Sequence, residues 1–234
     1  MRAFAGRPEL TPLAVLRVRT PRLELRLGTH AEVLALAELA AAGIHPPGEM
    51  PFASAWTDGA GTPGFVERFA TFHEDQLAGW TPDDWTLNLL VWEGDTLAGT
   101  QGVSGAQFAT KRTVATGSWL GHGHQGRGVG TEMRAAVLEL AFVWLGAEAA
   151  TSSWMKGNDA SRRVSEKLGY EVVEETTQSP RPGESVRAWN VRRERAGWRS
   201  PVPVTVDGIE PSLPLFGVEG RPTDVPGQPV GRER

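Results

Sequence analysis

A chain of 234 residues, of which 40% are hydrophobic, is long enough for one sizeable domain with a buried core. Its formal net charge of −4 argues against a dedicated nucleic-acid binder. The absence of cysteine excludes disulfides, thiolate metal sites and cysteine nucleophiles, and it favours a cytoplasmic location. Because no segment has a signal-peptide pattern or reaches ~18 apolar residues in a row, we expect neither export nor membrane spanning.

The first half of the chain predicts one strand, two helices and three further strands. Residues 22–27 alternate apolar and charged side chains, as a half-buried strand does. Helical patterns follow at 29–43 and 64–80, and the Pro- and Gly-rich residues between them predict a functional loop at 45–62. The three strand patterns that come next cover 85–95, 96–108 and 111–121.

The second half predicts a strand–helix alternation and a changed composition at its end. A helix from 130 to 146 is followed by a strand at 149–155, a helix at 158–167 and two strands at 170–176 and 185–194. This order predicts an α/β (α+β) fold with a mixed, mostly antiparallel central sheet.

The composition also divides the chain. We expect one domain over 1–195, an extended Pro-rich segment at 196–217 that docks on the domain or a partner, and a disordered tail at 218–234.

The segment HQGRGVGTEM (124–133) runs from a strand directly into a helix. Glycines at such a turn let the backbone approach a ligand, and the free N–H groups of a helix start favour an anion, typically phosphate. The segment lacks the lysine of a triphosphate-binding loop, and its glycines lack the spacing of a dinucleotide fingerprint. A turn that binds nothing remains an alternative on this segment alone.

Two blocks resemble the GNAT acyltransferases. Residues 125–130 (QGRGVG) fit that family's Q/R-x-x-G-x-G/A pyrophosphate loop, and 158–171 (NDASRRVSEKLGYE) are similar to its second block. The serine form of the second block is similar to the ribosomal-protein alanine N-acetyltransferase branch. The resemblance covers about 20–195 and implies the GNAT fold, with helices on both sheet faces, and transfer of an acyl group from acyl-CoA to a primary amine.

The resemblance also assigns a CoA site that is largely backbone. It implies that N–H groups of 127–131 hold the pyrophosphate, that the strand around 120–122 pairs with the pantetheine arm, and that the Leu120 N–H donates to the acyl carbonyl. The implied CoA-binding residues are Leu120, His122, Gln125, Gly126, Arg127, Gly128, Val129, Gly130, Thr131, Asn158 and Ser161.

Ser161 matches the serine that this branch is proposed to use as proton donor to the leaving thiol, so the implied catalytic groups are Ser161 and Leu120. Packing is the alternative role of Ser161, and helix capping is that of Asn158. Ser165 stands where many relatives carry a tyrosine acid, and the only tyrosine, Tyr170, lies where an aromatic residue is structural. The general base is not identified; the candidates are His73, Glu74, His122 and His124.

The amine side of the cleft is predicted from the fold that the resemblance implies. Its expected substrate-binding residues are Trp56, Gln101, Ser118 and Trp119. Acetyl-CoA and succinyl-CoA are both considered as donors, and Lys111 or Arg112 is a candidate partner for a donor carboxylate. A catalytically silent module that binds or senses acyl-CoA is the alternative function. We expect no metal, no membrane and no nucleic acid, and a homodimer as the assembly.

Overall fold

The computed structural model describes residues 6–220, so most of the tail predicted at 218–234 lies outside the described residues. Within that range, five α-helices are present: α1 (His30–Ala41), α2 (Phe65–Ala78), α3 (Phe108–Lys111), α4 (Val129–Glu139) and α5 (Asp159–Lys167). The strands are β1 (Arg17–Arg19), β2 (Leu23–Arg26), β3 (Trp85–Glu93), β4 (Thr96–Gly105), β5 (Thr113–Leu120), β6 (Ala149–Met155), β7 (Glu171–Gln178), β8 (Val186–Glu194) and β9 (Thr205–Asp207). Short 3-10 helices cover Pro8–Val15, Trp56–Gly59, His122–His124 and Glu210–Phe216, and α4 runs on as a π-helical turn at Leu140–Trp144.

The strands form one open sheet in the order β7-β8-β6-β5-β4-β3-β2-β1-β9. Among the described strands, β5 and β6 are the one parallel pair, and the other neighbours are antiparallel. The predicted α/β class with a mostly antiparallel sheet is confirmed. Alternate side chains of β5 reach two different cores, since Leu120 packs with Val129 of α4 while Trp119 packs with Phe69 of α2. Helices therefore cover both faces of the sheet.

The parallel pair is short, and its strands then separate. β5 pairs with β6 at three positions, from Thr113 opposite Ala149 to Ala115 opposite Thr151. Beyond them β5 keeps its antiparallel pairing with β4 up to Leu120, while β6 pairs with β8. The second half of β5 therefore has no strand on its β6 side, and the sheet opens there into a V-shaped gap.

The chain after β8 returns to the far edge of the sheet and to the core. β9 pairs with β1, and Phe216 packs edge-on against Trp80 and Trp85 at ring distances of 5.2 and 4.9 Å. Where the sequence predicts extended chain over 196–217, the residues Glu210–Phe216 form a 3-10 helix. The physical reason is local, because a proline at its start needs no N–H partner and the turn brings Leu213 and Phe216 to the same buried side.

The start of α1 carries a complete capping box. The Thr29 hydroxyl accepts from the Glu32 N–H, and the Glu32 carboxylate accepts from the Thr29 N–H at 2.7 Å. Arg26 also donates to both Glu32 carboxylate oxygens, which lowers the pKa of Glu32 to about 2. The pKa of Glu32 in the folded protein is thus below its ordinary value of 4.5. Ionised Glu32 therefore stabilises the fold fully above pH 4.5, and this stabilisation is lost as the pH falls toward 2.

We predict that Glu32→Gln lowers the free energy of unfolding by roughly 1 kcal/mol at pH 7, because a neutral amide keeps the cap poorly and loses the ion pair. Urea titrations at pH 7 and pH 3 should show the difference from the native protein shrinking at the lower pH. Glu38→Gln, an exposed substitution on the same helix, is the control and should change stability little at either pH. If Glu32→Gln and the native protein differed in stability by the same amount at pH 7 and at pH 3, the stabilising role of ionised Glu32 would be contradicted.

Candidate functional site

The glycine turn presents a row of unpaired backbone donors. Gly126 and Gly128 have positive φ angles of 71° and 84°, a region that glycine enters without strain. Gly128 caps α4, and no side chain completes the cap. Within the described residues, none of the N–H groups of 126–130 donates to a carbonyl or a side chain. Five consecutive free donors at the positive end of a helix form an anion site.

Side chains of the turn itself hold its shape. The Gln125 amide donates to the carbonyls of Leu120 and Ile44, both at 2.8 Å, and so joins the end of β5 to the segment after α1. Arg127 donates to Glu93 at 3.1 Å and to the Gly123 carbonyl at 3.0 Å. The structure thus places these two predicted CoA-binding side chains in contacts with the protein, which leaves the anion to the backbone.

Glu93, at the end of β3, is a residue that the sequence analysis did not single out. Its carboxylate contacts His124 Nδ1 at 2.6 Å as well as Arg127. These contacts lower the pKa of Glu93, the hydrogen bond with His124 most of all. The neighbouring His122 is exposed at the start of its 3-10 turn. The loop between β5 and α4 is therefore anchored to the sheet by Glu93, Gln125 and their partners.

A second anchor lies below the turn. Glu132 of α4 is 5% exposed and forms an ion pair with Arg22, whose Nη1 also donates to the Arg127 carbonyl at 3.1 Å. The Thr20 hydroxyl donates to the same carboxylate at 2.6 Å. Arg22, directly before β2, thus links the start of this strand to the first turn of α4 and to the glycine turn.

The end of β5 borders the gap between the strands. Gly121 donates its N–H to the Ala98 carbonyl of β4 at 2.9 Å. Because hydrogen-bonding direction alternates along an antiparallel strand, the preceding Leu120 turns its own N–H and C=O away from β4. The Leu120 carbonyl accepts from Gln125 there. The Leu120 N–H consequently faces the gap, where the resemblance expects the donor to the acyl carbonyl.

The start of α5 lies across the gap. Asn158 is the N-cap of α5, and its side-chain oxygen accepts from the Ser161 N–H at 3.0 Å, so the capping role is confirmed. Its amide nitrogen also donates to the Pro51 carbonyl at 3.2 Å. Ser161 is half-buried, in the first turn of α5. Contact of either residue with CoA stays a prediction.

The position that often carries the tyrosine acid is occupied by a buried polar group. Ser165 is fully buried and accepts from Arg134 Nη1 at 3.0 Å, and Arg134 Nη2 lies 3.4 Å from the Ser118 hydroxyl. Tyr170 is also buried, and its hydroxyl is 3.2 Å from that of Thr116. Burial raises the pKa of Tyr170, so this hydroxyl stays protonated.

The predicted amine-side residues divide between two places. Trp56 and Trp119 lie 5.9 Å apart and both contact Phe69, so they form one aromatic wall on the α2 side of β5. Gln101 is fully buried, and its amide donates to the Gly102 and Gly117 carbonyls within the sheet. Ser118 turns its hydroxyl toward α4, which is the opposite face from Trp119. Only the tryptophans therefore line a common surface.

Hydrogen bonds and an ion pair hold the loop predicted at 45–62 in place beside the aromatic wall. Arg181, in the turn between β7 and β8, donates to both carboxylate oxygens of Asp58, at 2.6 and 2.7 Å. The His45 ring contacts the Thr57 hydroxyl at 2.8 Å, and Asn158 holds Pro51. These contacts place Trp56 over Trp119 and connect the loop to the elements on the far side of the gap.

The candidate bases lie in different surroundings. The His73 ring packs against Phe69 in a tilted arrangement with the ring centroids 4.7 Å apart, and burial lowers the pKa of His73 to about 4. A base with so low a pKa is weak at pH 7. Glu74 contacts His30 at 3.0 Å, and both line a shallow cavity between α1, α2 and β3 together with His73. The structure places these groups on the α2 side, whereas His122 and His124 belong to the glycine turn.

An open sheet with a gap beside its parallel pair, and a glycine turn with free donors at the mouth of that gap, define a CoA-dependent acyltransferase. Residues 22–171 match the model of the Acetyltransferase (GNAT) domain. The chain therefore belongs to the GNAT family of acyl-CoA-dependent N-acetyltransferases.

Solved structures support the fold. The ribosomal-protein alpha-N-acetyltransferase RimL, in complex with coenzyme A, shares 16% identity at a TM-score of 0.62 over 75% of this chain and 95% of its own. Mycobacterium smegmatis RimJ, in complex with CoA-disulfide, shares 15% sequence identity at a TM-score of 0.62, and the match covers 81% of this chain and 92% of RimJ. Salmonella typhimurium yncA, in a structure with acetyl-CoA, shares 18% sequence identity at a TM-score of 0.52, and the match covers 80% of this chain and 98% of yncA. The suspected relation to the ribosomal-protein branch is confirmed at the level of fold.

Within residues 6–220, no group of three or more acidic or histidine side chains could hold a metal ion. No helix there has the length and apolar character that crossing a membrane requires.

We predict that Arg22→Met lowers the free energy of unfolding by about 1–3 kcal/mol, because the buried Glu132 carboxylate loses its cation. Arg19→Met is the matched control, since Arg19 pairs with Glu24 and Asp207 at the exposed sheet edge and should cost less than ~1 kcal/mol. Urea unfolding of both variants measures the difference. If the two variants lost the same free energy of unfolding, the buried Glu132 carboxylate would not depend on Arg22 for its stability.

Proposed function

We propose that this protein transfers an acetyl or succinyl group from acyl-CoA to a primary amine of a small molecule or protein, within a ternary complex. The observation that carries the proposal is the row of free N–H groups at 126–130, which opens beside the gap between β5 and β6. A pyrophosphate needs several convergent donors, and the helix dipole adds to them. The gap accommodates an extended arm that pairs with the free side of β5 as a strand would.

The chemistry required of the chain is modest. A neutral amine attacks the thioester carbonyl, the C–N bond forms, the C–S bond breaks, and the amine proton passes to solvent. The Leu120 N–H, which faces the gap, stabilises the oxyanion that develops on the carbonyl. Ser161 donates a proton to the leaving thiolate. Positioning of the two substrates supplies most of the acceleration.

The aromatic wall favours an acceptor with an apolar portion. Trp56 and Trp119 stand on the α2 side of β5, so an amine approaching from that side meets their rings. The ion pair between Arg181 and Asp58 keeps Trp56 in place. Incubation with acetyl- and succinyl-CoA and a panel of amines, with detection of free thiol, tests the transfer. CoA binding without thiol release for any amine would instead support a silent acyl-CoA-binding module.

We predict that Gly128→Val weakens CoA binding at least ~10-fold, because a β-branched residue resists the positive φ that directs the free donors inward. Gly197→Val is the matched control, since Gly197 also has a positive φ of 70° with open space around it, but lies between β8 and β9. Isothermal titration with CoA measures both. Binding by the native protein should also raise stability by ~2.7 kcal/mol at a hundredfold excess over Kd.

Equal losses of CoA affinity in the two valine variants would contradict the role of the turn. Absence of CoA binding by the native protein would overturn the proposed function as a whole.

We predict that Ser161→Ala lowers kcat by roughly 10²-fold, the range of a lost proton donor, while CoA affinity stays the same. Ser179→Ala is the control, because it removes a hydroxyl group from the turn after β7, outside the gap. Thiol release measures turnover, and calorimetry measures binding. Unchanged turnover of Ser161→Ala would assign this serine to packing.

A further inference from the structure

Arg134 is a buried cation that the mechanism above does not use. It lies on the face of α4 that also carries Gly130 and Val137, and it is 3% exposed. Its guanidinium has five N–H donors. Nη1 donates to Ser165 at 3.0 Å, Nη2 has a long contact of 3.4 Å with Ser118, and the buried Nε has no partner.

None of the acidic side chains that the structure describes forms an ion pair with this cation. Within residues 6–220 its polar contacts are hydroxyl groups, and the one ionisable group that influences it is Tyr170. Burial keeps that phenol neutral by raising its pKa, whereas an arginine stays charged in proteins even where burial lowers its pKa. A buried, unpaired charge destabilises a fold by several kcal/mol. Its presence therefore indicates an anion that arrives with a ligand.

The position of Arg134 indicates which end of the ligand carries the anion. Ser118, which Nη2 contacts, is half-buried on the stretch of β5 that borders the gap, two residues before Leu120. Two strand residues span about 7 Å. Since the glycine turn follows Leu120, a pantetheine arm that starts there runs toward Ser118. The far end of the acyl group then comes to the guanidinium.

We propose that Arg134 binds the terminal carboxylate of a dicarboxylic acyl group, such as the succinyl group of succinyl-CoA. This inference rests on the proposed function and specifies its donor. Three C–C bonds of about 1.5 Å extend a succinyl carboxylate roughly 4 Å beyond the thioester carbonyl. With the carboxylate oxygens added, this chain covers most of the distance from Leu120 to Ser118, whereas an acetyl group ends near Leu120.

Two other assignments fit the geometry less well. Lys111 and Arg112, the candidates from sequence, lie at the start of β5, beyond its paired end, and Arg112 stacks on Phe108 at 5.2 Å. A leaving thiolate is a second possible anion, but it forms only during turnover. A donor carboxylate compensates the charge for as long as the donor is bound, and its two oxygens match the guanidinium fork.

The test compares donors of equal chain length. Calorimetry measures the Kd of CoA, butyryl-CoA and succinyl-CoA for the native protein, Arg134→Met, Arg134→Lys and Arg112→Met. We expect succinyl-CoA to bind at least ~10-fold more tightly than butyryl-CoA to the native protein, as a charge-assisted pair provides. The ratio of the butyryl-CoA Kd to the succinyl-CoA Kd should fall to about one in Arg134→Met. It should be reduced but stay above one in Arg134→Lys, and it should be unchanged in Arg112→Met. The affinity for CoA itself should be the same in all four proteins. Methionine replaces a buried ion without a large loss of stability.

The outcomes separate the inference from the proposed function. Equal affinities for the succinyl and butyryl donors, with normal CoA binding, overturn the inference alone. A succinyl preference that survives in Arg134→Met also overturns it. If the bound CoA thiol has a pKa that Arg134→Met raises, and no succinyl preference exists, the cation serves the leaving group instead. Failure of CoA itself to bind overturns the proposed function.

Discussion

The separation of β5 from β6 is the constraint on which the rest of the site depends. Parallel strands that pair at three positions and then diverge leave backbone donors and acceptors of β5 unpaired inside the protein. Such groups are costly unless a partner satisfies them. The Leu120 carbonyl receives the Gln125 amide, whereas its N–H faces the gap. A ligand that runs along β5 as an added strand satisfies what the sheet leaves open.

The glycine turn continues the same principle at the mouth of the gap. The side chains of the turn contact other parts of the protein and do not cover its free donors: the Gln125 amide donates to two carbonyls, Arg127 donates to Glu93, and Arg22 donates to the Arg127 carbonyl. These contacts preorganise the backbone before any anion arrives, so little ordering is needed upon binding. The Arg127 guanidinium of the turn is paired with Glu93, so the helix dipole and the free N–H groups provide the main attraction for an anion.

The two faces of β5 carry different side chains. On the α2 face, Trp119 and Trp56 form an aromatic wall. On the α4 face, the hydroxyls of Ser118 and Ser165 contact the guanidinium of Arg134. Because alternate side chains of a strand point to opposite faces, one strand separates the aromatic side, where we propose that the amine binds, from the cationic side, where we propose that the acyl group binds.

Much of the fold could be predicted from the sequence, because its signals are local. Period-2 and helical patterns, the cap at Thr29 and the glycines after 124 locate every strand and α-helix from β2 to β8 except the single-turn α3, but not the short 3-10 helices at Trp56–Gly59 and His122–His124. The three-residue strands β1 and β9 escaped prediction, since so short a segment has no period and is a strand only through its partner. The family resemblance assigned CoA-binding roles to the glycine turn, Leu120 and Ser161, and these roles stay predictions.

The sequence by itself determined most of the elements, the glycine turn before α4 and the family, because each depends on residues close together in the chain. Tertiary structure alone decided that Gln101 is buried, that Ser118 and Trp119 face opposite ways, and that Glu93 supports the turn. It also decided that Arg134 contacts hydroxyl groups and no carboxylate within residues 6–220, although its spacing from Gly130 and Val137 on an apolar helix face could have drawn attention to it. Whether a buried charge has a partner depends on residues distant in sequence, and only the folded chain brings them together.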